Sequence, residues 1–309
     1  MIADVTLDSA ELTAYLDRLG VEPEYPTAAA LARLHAAHVE RIPFETLDRP
    51  DGVDPRRSLA RIVEEHRGGV CYQLSGAFGL LLEGLGYRVT AHAAGVQSGF
   101  NPTPVGPIGT HVLLTAEGLP SPENPGGAWI LDVGVGEGFA EPLPLCPGTY
   151  RQGDFAYTVK ITSRGWRVDY DRRESCRGVD FAQESARLED FAQVYDQLAD
   201  GEMSLFFRFG WAKRHHRAGF EEIIGCRYSS VTARGRVSRT IETSDEYFGL
   251  LSGVFNLDFP ALPDAELHVM WEHFKANWTD HAFRSAFAAQ PAKDAQPAKD
   301  AKPAKPAKE

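Results

Sequence analysis

The apolar residues of this chain change their period at Gly86, and that change limits the architecture more than any other feature. Upstream the period is helical. Asp8 and Glu11 form a start signal before Leu12, Tyr15, Leu16 and Leu19, and Gly20 stops the run. A second helix follows Thr27 through Leu31, Leu34 and His38 until Pro43 forbids continuation. Ser58 is expected to cap a third helix carrying Leu59, Ile62 and Val63. Arg67-Gly68-Gly69-Val70-Cys71 then reads as a glycine turn feeding a fourth, with Leu74, Phe78, Leu81, Leu82 and Leu85 on its apolar face. Downstream of Gly86, Tyr87, Val89, Ala91 and Ala93 alternate as in a strand. Further strands are expected at 110–115, 129–133, 155–162 and 166–170.

The expected class is therefore α+β, with a helical unit over 1–86 and a β-rich unit over 87–186. Helical patterns return at Leu188, Phe191, Val194, Tyr195 and Leu198, at Tyr247, Leu250 and Leu251, and at Leu267, Met270, Trp271 and Phe274, giving a third, mixed unit over 187–287. Residues 288–309 repeat proline, alanine and charge and cannot bury a core, so they read as a disordered tail.

Charge and cysteine usage narrow the function. The chain carries a net charge of −11, and without the lysine-rich tail the remainder has 27 basic against 40 acidic residues. Phosphate backbones need a basic face, so no nucleic-acid partner is expected. The acidic first residues do not resemble a secretory signal, and no apolar run is long enough to span a bilayer, so the expected setting is cytoplasmic with no membrane contact. Cys71, Cys146, Cys176 and Cys226 are widely spaced, which suits neither a disulfide framework nor a zinc cage.

Cys71 differs from the other three by its place in the first turn of a helix. The dipole and unpaired amides there favour a thiolate. A thiolate mechanism also needs a base oriented by a third group. His111 opens the run His111-Val112-Leu113-Leu114, and Asp132 closes Trp129-Ile130-Leu131-Asp132. Adjacent strands would let Asp132 hold one imidazole nitrogen while the other faces Cys71.

These residues lie in segments that resemble the arylamine N-acetyltransferase family, with the related ansamycin-type amide synthases. His38-Val-Glu-Arg-Ile-Pro-Phe-Glu-Thr-Leu47 is similar to that family's HxxxIPFENL, and Arg67-Gly-Gly-Val-Cys-Tyr72 to its RGGxC[FY]. Gly109-Thr-His-Val-Leu-Leu114 and Leu131-Asp-Val-Gly-Val-Gly136 resemble its histidine and aspartate strands, and Leu250 to Asp258 its LLxxxFGIDL. The resemblance implies an N-terminal helical bundle, a central β-barrel and a C-terminal α/β lid around a cysteine-protease-like core. It implies Cys71 as nucleophile, His111 as base and Asp132 as orienting carboxylate. Thr110 and Gly136 fall where the family approaches coenzyme A, and Phe44, Val96 and Val135 where it lines the acceptor pocket. The implied activity is ping-pong acetyl transfer from acetyl-CoA to an arylamine, with amides near Val70 to Tyr72 as oxyanion donors and small-molecule amine and acyl thioester as partners.

Gln73 and Ser75 stand where the family usually has an acid and an asparagine, Thr46 replaces the asparagine of PFENL, and Val135 a frequent phenylalanine. These departures bear on the acceptor and the donor. An amide synthase taking a polyketide chain from an acyl carrier protein is the main alternative. A papain- or transglutaminase-like hydrolase and a non-catalytic binding protein are further ones. Gly134, Gly136 and Gly138 suit either a pyrophosphate approach or a plain turn. His215-His216 reads as a solvated basic turn rather than a metal site, so no metal is assigned. Trp271, Phe274 and Trp278 read as a core face, and the three other cysteines as structural.

Overall fold

A computed structural model describes residues 2, 3, 5–50, 52–99, 101, 103–200, 204–259 and 262–279. The end of the expected third unit and the repeat tail, from 280 onward, lie outside the described residues. The first helices follow their caps. Asp8 accepts from the amides of Ala10 and Glu11 while Glu11 returns to the Asp8 amide, starting α1 (Ser9–Leu19), and Gly20 ends it in the left-handed region. Thr27 caps α2 (Ala28–Arg41). A short strand β1 (Phe44–Glu45) follows the proline stop. The cap of α3 (Pro55–Val63) is Asp54 rather than Ser58: Pro55 fits the first helical position, and Ser58, one turn inside, bonds back to the Asp54 carbonyl. Helix α4 (Cys71–Gly84) is buried all round from Cys71 to Leu82 rather than along one face, because it is wrapped on every side.

The β-rich region comprises β2 (Arg88–Ser98), β3 (His111–Glu117), β4 (Trp129–Leu131), β5 (Leu143–Pro144), β6 (Gly148–Gln152), β7 (Phe155–Thr162), β8 (Gly165–Asp169) and β9 (Cys176–Phe181). They form one antiparallel sheet in the order β5-β4-β3-β2-β9-β8-β7-β6, a nearly closed, barrel-like wall. Leu113, Ile130, Phe139, Val159, Val168 and Val179 fill its interior. The opposite faces of β2 and β3 share the α1–α4 core through Val89, Ala91, Val112 and Leu114. Strand β4 ends at Leu131, two residues short of the sequence expectation, because the Asp132 amide leaves the ladder and donates to His35 Nε2 at 3.1 Å.

A 3₁₀ turn (Leu188–Phe191) leads into α5 (Ala192–Asp200) and α6 (Ser204–Phe209). Four strands unforeseen in the sequence follow: β10 (Trp211–His216), β11 (Gly219–Ile224), β12 (Arg227–Thr232) and β13 (Gly235–Thr240). They extend a second antiparallel sheet whose first strand is β1, ordered β1-β10-β11-β12-β13. Helices α7 (Ser244–Phe255) and α8 (Asp264–Asn277) bury Tyr247, Leu251, Phe255, Trp271 and Phe274 against it. His215 and His216 belong to β10, and His215 is buried. The solvated-turn reading of that pair is therefore corrected: cross-strand pairing with Phe220 and Gly219 holds both in the sheet.

Candidate active site

Cys71 occupies the first position of α4. The four leading amides of a helix lack partners within it, and here the Gln73 side chain reaches back to the Val70 amide at 3.2 Å. The amides of Cys71 and Tyr72 remain in the turn that carries the thiol. Two side chains tie α4 to the strand bearing His111: Tyr72 donates to the Gly109 carbonyl and Ser75 to the Val112 carbonyl, each at 2.9 Å. The Cys71 sulfur lies 4.0 Å from the Thr110 carbonyl oxygen and is largely buried.

His111 Nε2 sits 3.0 and 2.9 Å from the two oxygens of Asp132. That turns the other ring nitrogen toward Cys71. Burial opposes a charged ring, but Asp132 and the neighbouring sulfur outweigh it and raise the His111 pKa to about 10. Asp132 also accepts from the Gly134 amide at 3.0 Å and from the Tyr170 hydroxyl at 3.2 Å. The structure thus brings together the three residues expected from sequence, and adds two supports the sequence did not reveal. One is Tyr170, at the end of an alternating strand where no local pattern marks it. The other is His35, fully buried, with Nδ1 2.8 Å from the Ala140 carbonyl and Nε2 on the Asp132 amide. Those two partners fix its neutral tautomer, and burial lowers its pKa to about 4. Its signal was present: His35 and His38 share the buried face of α2.

The IPFE and RGG segments are in contact. The Glu45 amide donates to the Gly69 carbonyl, and the buried Glu45 carboxylate takes the guanidinium groups of Arg61 and Arg67 at 2.6 and 2.9 Å. A Cβ on Gly68 would fall 1.9 Å from the Pro43 carbonyl oxygen. This clamp sets the turn that delivers Cys71.

The glycines of 134–138 are explained by protein packing. A Cβ on Gly134 would lie 2.8 Å from Cys71 Cα and Cβ and 3.1 Å from His111 Cε1. On Gly136 it would meet Lys213 and Phe44 at 2.6 and 2.7 Å, and on Gly138 the Tyr170 ring at 3.1 Å. Phe44 therefore borders the loop that carries Gly136. Val135 is buried in the barrel core, and Val96 packs partly buried against the same cluster. Three of the four departures from the family pattern have internal partners. Thr46 is bonded to the Phe206 carbonyl and the Trp211 amide, Gln73 to Val70 and Gly52, and Ser75 to Val112.

The family described as N-acetyltransferase matches residues 27–262. The chain belongs to the arylamine N-acetyltransferase family. The arylamine N-acetyltransferase of Mycobacterium tuberculosis is 37% identical over 132 residues, 41% of this chain and 45% of that protein. The chain thus spans about half the length of the mycobacterial relatives it matches. Proansamycin X synthase of Amycolatopsis mediterranei is 30% identical over 156 residues, 46% of this chain and 55% of that protein. In fold, the chain is similar to the Mycobacterium marinum arylamine N-acetyltransferase in complex with CoA, with a TM-score of 0.75 and 23% identity over 86% of this chain and 98% of that one. Among the described residues no helix is long and apolar enough to cross a membrane.

Proposed function

We propose that this protein is a cytoplasmic acyltransferase that moves an acetyl group from acetyl-CoA to an arylamine through a thioester on Cys71, in ping-pong order. The observation that carries this is the His111 ring, held by both Asp132 oxygens beside a thiol in the first turn of α4. The reacting form is the Cys71 thiolate beside a protonated His111 ring, the form that balances both half-reactions. In the first half-reaction the Cys71 sulfur gives an electron pair to the thioester carbonyl carbon, the bond to the coenzyme sulfur breaks, and His111 protonates the departing thiolate. In the second the amine attacks the Cys71 thioester, His111 takes the amine proton, and Cys71 leaves as thiolate. The amides of Cys71 and Tyr72 stabilise the oxyanion, and each such donor is worth about 10²–10³ in rate. Asp132 stays a carboxylate and fixes the ring.

In this reading Thr110 and Gly136 border the coenzyme and Phe44, Val96 and Val135 the acceptor. The units 1–86, 87–186 and 187–287 act as nucleophile-bearing bundle, barrel carrying base and carboxylate, and lid around a cysteine-protease-like core. A second reading, macrolactam formation from a long acyl chain, is favoured by the similarity to proansamycin X synthase and by the small Val135. The deciding experiment is intact mass spectrometry after exposure to acetyl-CoA, then to an aniline. Gain of one acetyl group on Cys71 and its loss to the amine is the expected result. No modification by acetyl-CoA, with ready modification by a bulky acyl thioester, would select the second reading.

A further inference from the structure

A cleft of about 660 Å³ opens between α2, the β6–β7 turn and the β10–β11 hairpin, with Gly138 in its wall and without Cys71, His111 or Asp132 in its lining. That volume is in the range of small-molecule sites. Its walls include Val39, Phe155, Tyr157 and Phe220. Its rim carries exposed Glu40 and Glu141 against Arg151 and Arg217, so the rim charges balance.

Two residues of the lining are more than nine-tenths buried and each has a polar atom without a hydrogen-bond partner among the described residues: Glu174 Oε2 and His215 Nε2. A buried polar group left unpaired costs about 1–3 kcal/mol. The protonation of both groups follows from their other contacts. Tyr157 Oη lies 2.7 Å from the Gly138 carbonyl and 2.9 Å from Glu174 Oε1. The phenol has one proton and a carbonyl only accepts, so satisfying both contacts requires a second proton, which Glu174 supplies as a neutral acid. Burial and the nearby Glu137 carboxylate push Glu174 in the same direction. Glu137 itself stays charged, holding Lys213 Nζ at 3.1 Å and the Ser175 and Cys176 amides at 2.9 and 3.0 Å. Glu174 Oε2 is then a carbonyl-type acceptor. Burial lowers the His215 pKa to about 4, so its ring is neutral and Nε2 can present a lone pair to the cleft.

We propose that this cleft is a second small-molecule site, separate from the acyl-transfer centre, for a neutral aromatic ligand whose hydroxyl or amine protons are received by Glu174 and His215. Apolar walls take the ring, the two acceptors take the donor protons, and the balanced rim favours no net charge. A carboxylate or phosphate ligand is excluded at the floor, since both orphan atoms are acceptors.

Phenol is the probe, added to full-length enzyme whose Cys71 is carboxamidomethylated, so that binding is read independently of any acyl transfer. Amide NMR shifts should map to Gly138, Gly153 and Gly219. Glu174→Gln keeps a donor to Tyr157 and a carbonyl toward the cleft, and should retain wild-type affinity. His215→Leu should weaken phenol roughly tenfold, the scale of one lost hydrogen bond. Loss of binding in Glu174→Gln would show a carboxylate that selects a cation, and overturn the proposal. Should His215→Leu fail to fold, a crystal of the wild type grown with phenol decides. The phenol oxygen bonded to Glu174 or His215 supports the site, and ordered water only, or shifts confined to the Cys71 region, overturns it.

Discussion

Gly134→Ala tests how closely the nucleophile and base are fitted together. Gly134 does not have a left-handed backbone, unlike Gly136 and Gly138, with φ of +74° and +96°, so alanine meets no conformational strain there. The effect is steric alone. Its Cβ would stand 2.8 Å from two Cys71 carbons, roughly an ångström inside ordinary carbon contact. Cys71 cannot retreat, because Tyr72 and Ser75 pin α4 on either side of His111. The loop must yield instead, and since the Gly134 amide donates to Asp132 Oδ1, the carboxylate moves with it. Overpacking of this kind costs about 1–3 kcal/mol, partly offset by about 0.4–1 kcal/mol from a stiffer unfolded chain. A displacement near 1 Å costs about 10²-fold in rate. The variant should therefore melt within a few degrees of wild type while kcat/KM for a small arylamine falls about 10²-fold. Gly235→Ala is the control: Gly235 has φ +107° and open space around it, so stability should drop with no change in rate. A Gly134→Ala enzyme with wild-type kcat/KM would show that the loop yields without displacing the Asp132 carboxylate.

A limiting amount of iodoacetamide at neutral pH should label Cys71 before Cys146, although Cys146 is the exposed thiol. Cys226 is pushed up to about 11 by burial, and burial and Glu137 hold Cys176 well above the ordinary thiol range, so labelling led by any of the three would remove Cys71 as nucleophile. Asp132→Asn should lower stability most below pH 6.5, since a histidine raised from 6.5 to about 10 stabilises the fold below its unfolded pKa and loses that contribution as pH rises through the folded one. Urea midpoints of the two proteins should converge toward pH 10, and a constant gap would contradict the assigned cause. Glu45→Ala should cost about 3 kcal/mol by leaving Arg61 and Arg67 under-paired. An unchanged urea midpoint would show that Asp48 alone holds them.

The sequence made the candidate site legible because each of its residues stands at an element boundary with its own signal: Cys71 after paired glycines, His111 at the head of an apolar run, Asp132 at the tail of another. Helices α1 and α2 were legible through their caps, whereas α3 was legible through its apolar residues and its cap lies at Asp54 rather than Ser58. The sheet over 211–240 was not, for a physical reason. Lys213 and Glu222 face each other across β10 and β11 and are both buried, joined at 3.3 Å. Complementary charge there replaces the apolar alternation that announces a strand. The same substitution hid His215, whose buried neutral ring reads in sequence as half of a basic pair. Tyr170 depends on a contact with a distant segment that no local period reports, and the helical period of α2 marks His35 as buried but not as the partner of Asp132.

Strand β1 has a thermodynamic consequence. Its two residues pair with Lys213 and Ala212 on one side and receive Gly69 on the other. Severed between 186 and 187, an N-terminal fragment would keep Cys71, His111 and Asp132 yet lose the pairing partners of 44–46, leaving backbone groups unsatisfied beside the nucleophile turn. Fragment complementation, rather than independent folding of either half, is then required for reactivity. By linkage, any compound that binds only the assembled C-terminal sheet also raises the population of the ordered nucleophile turn.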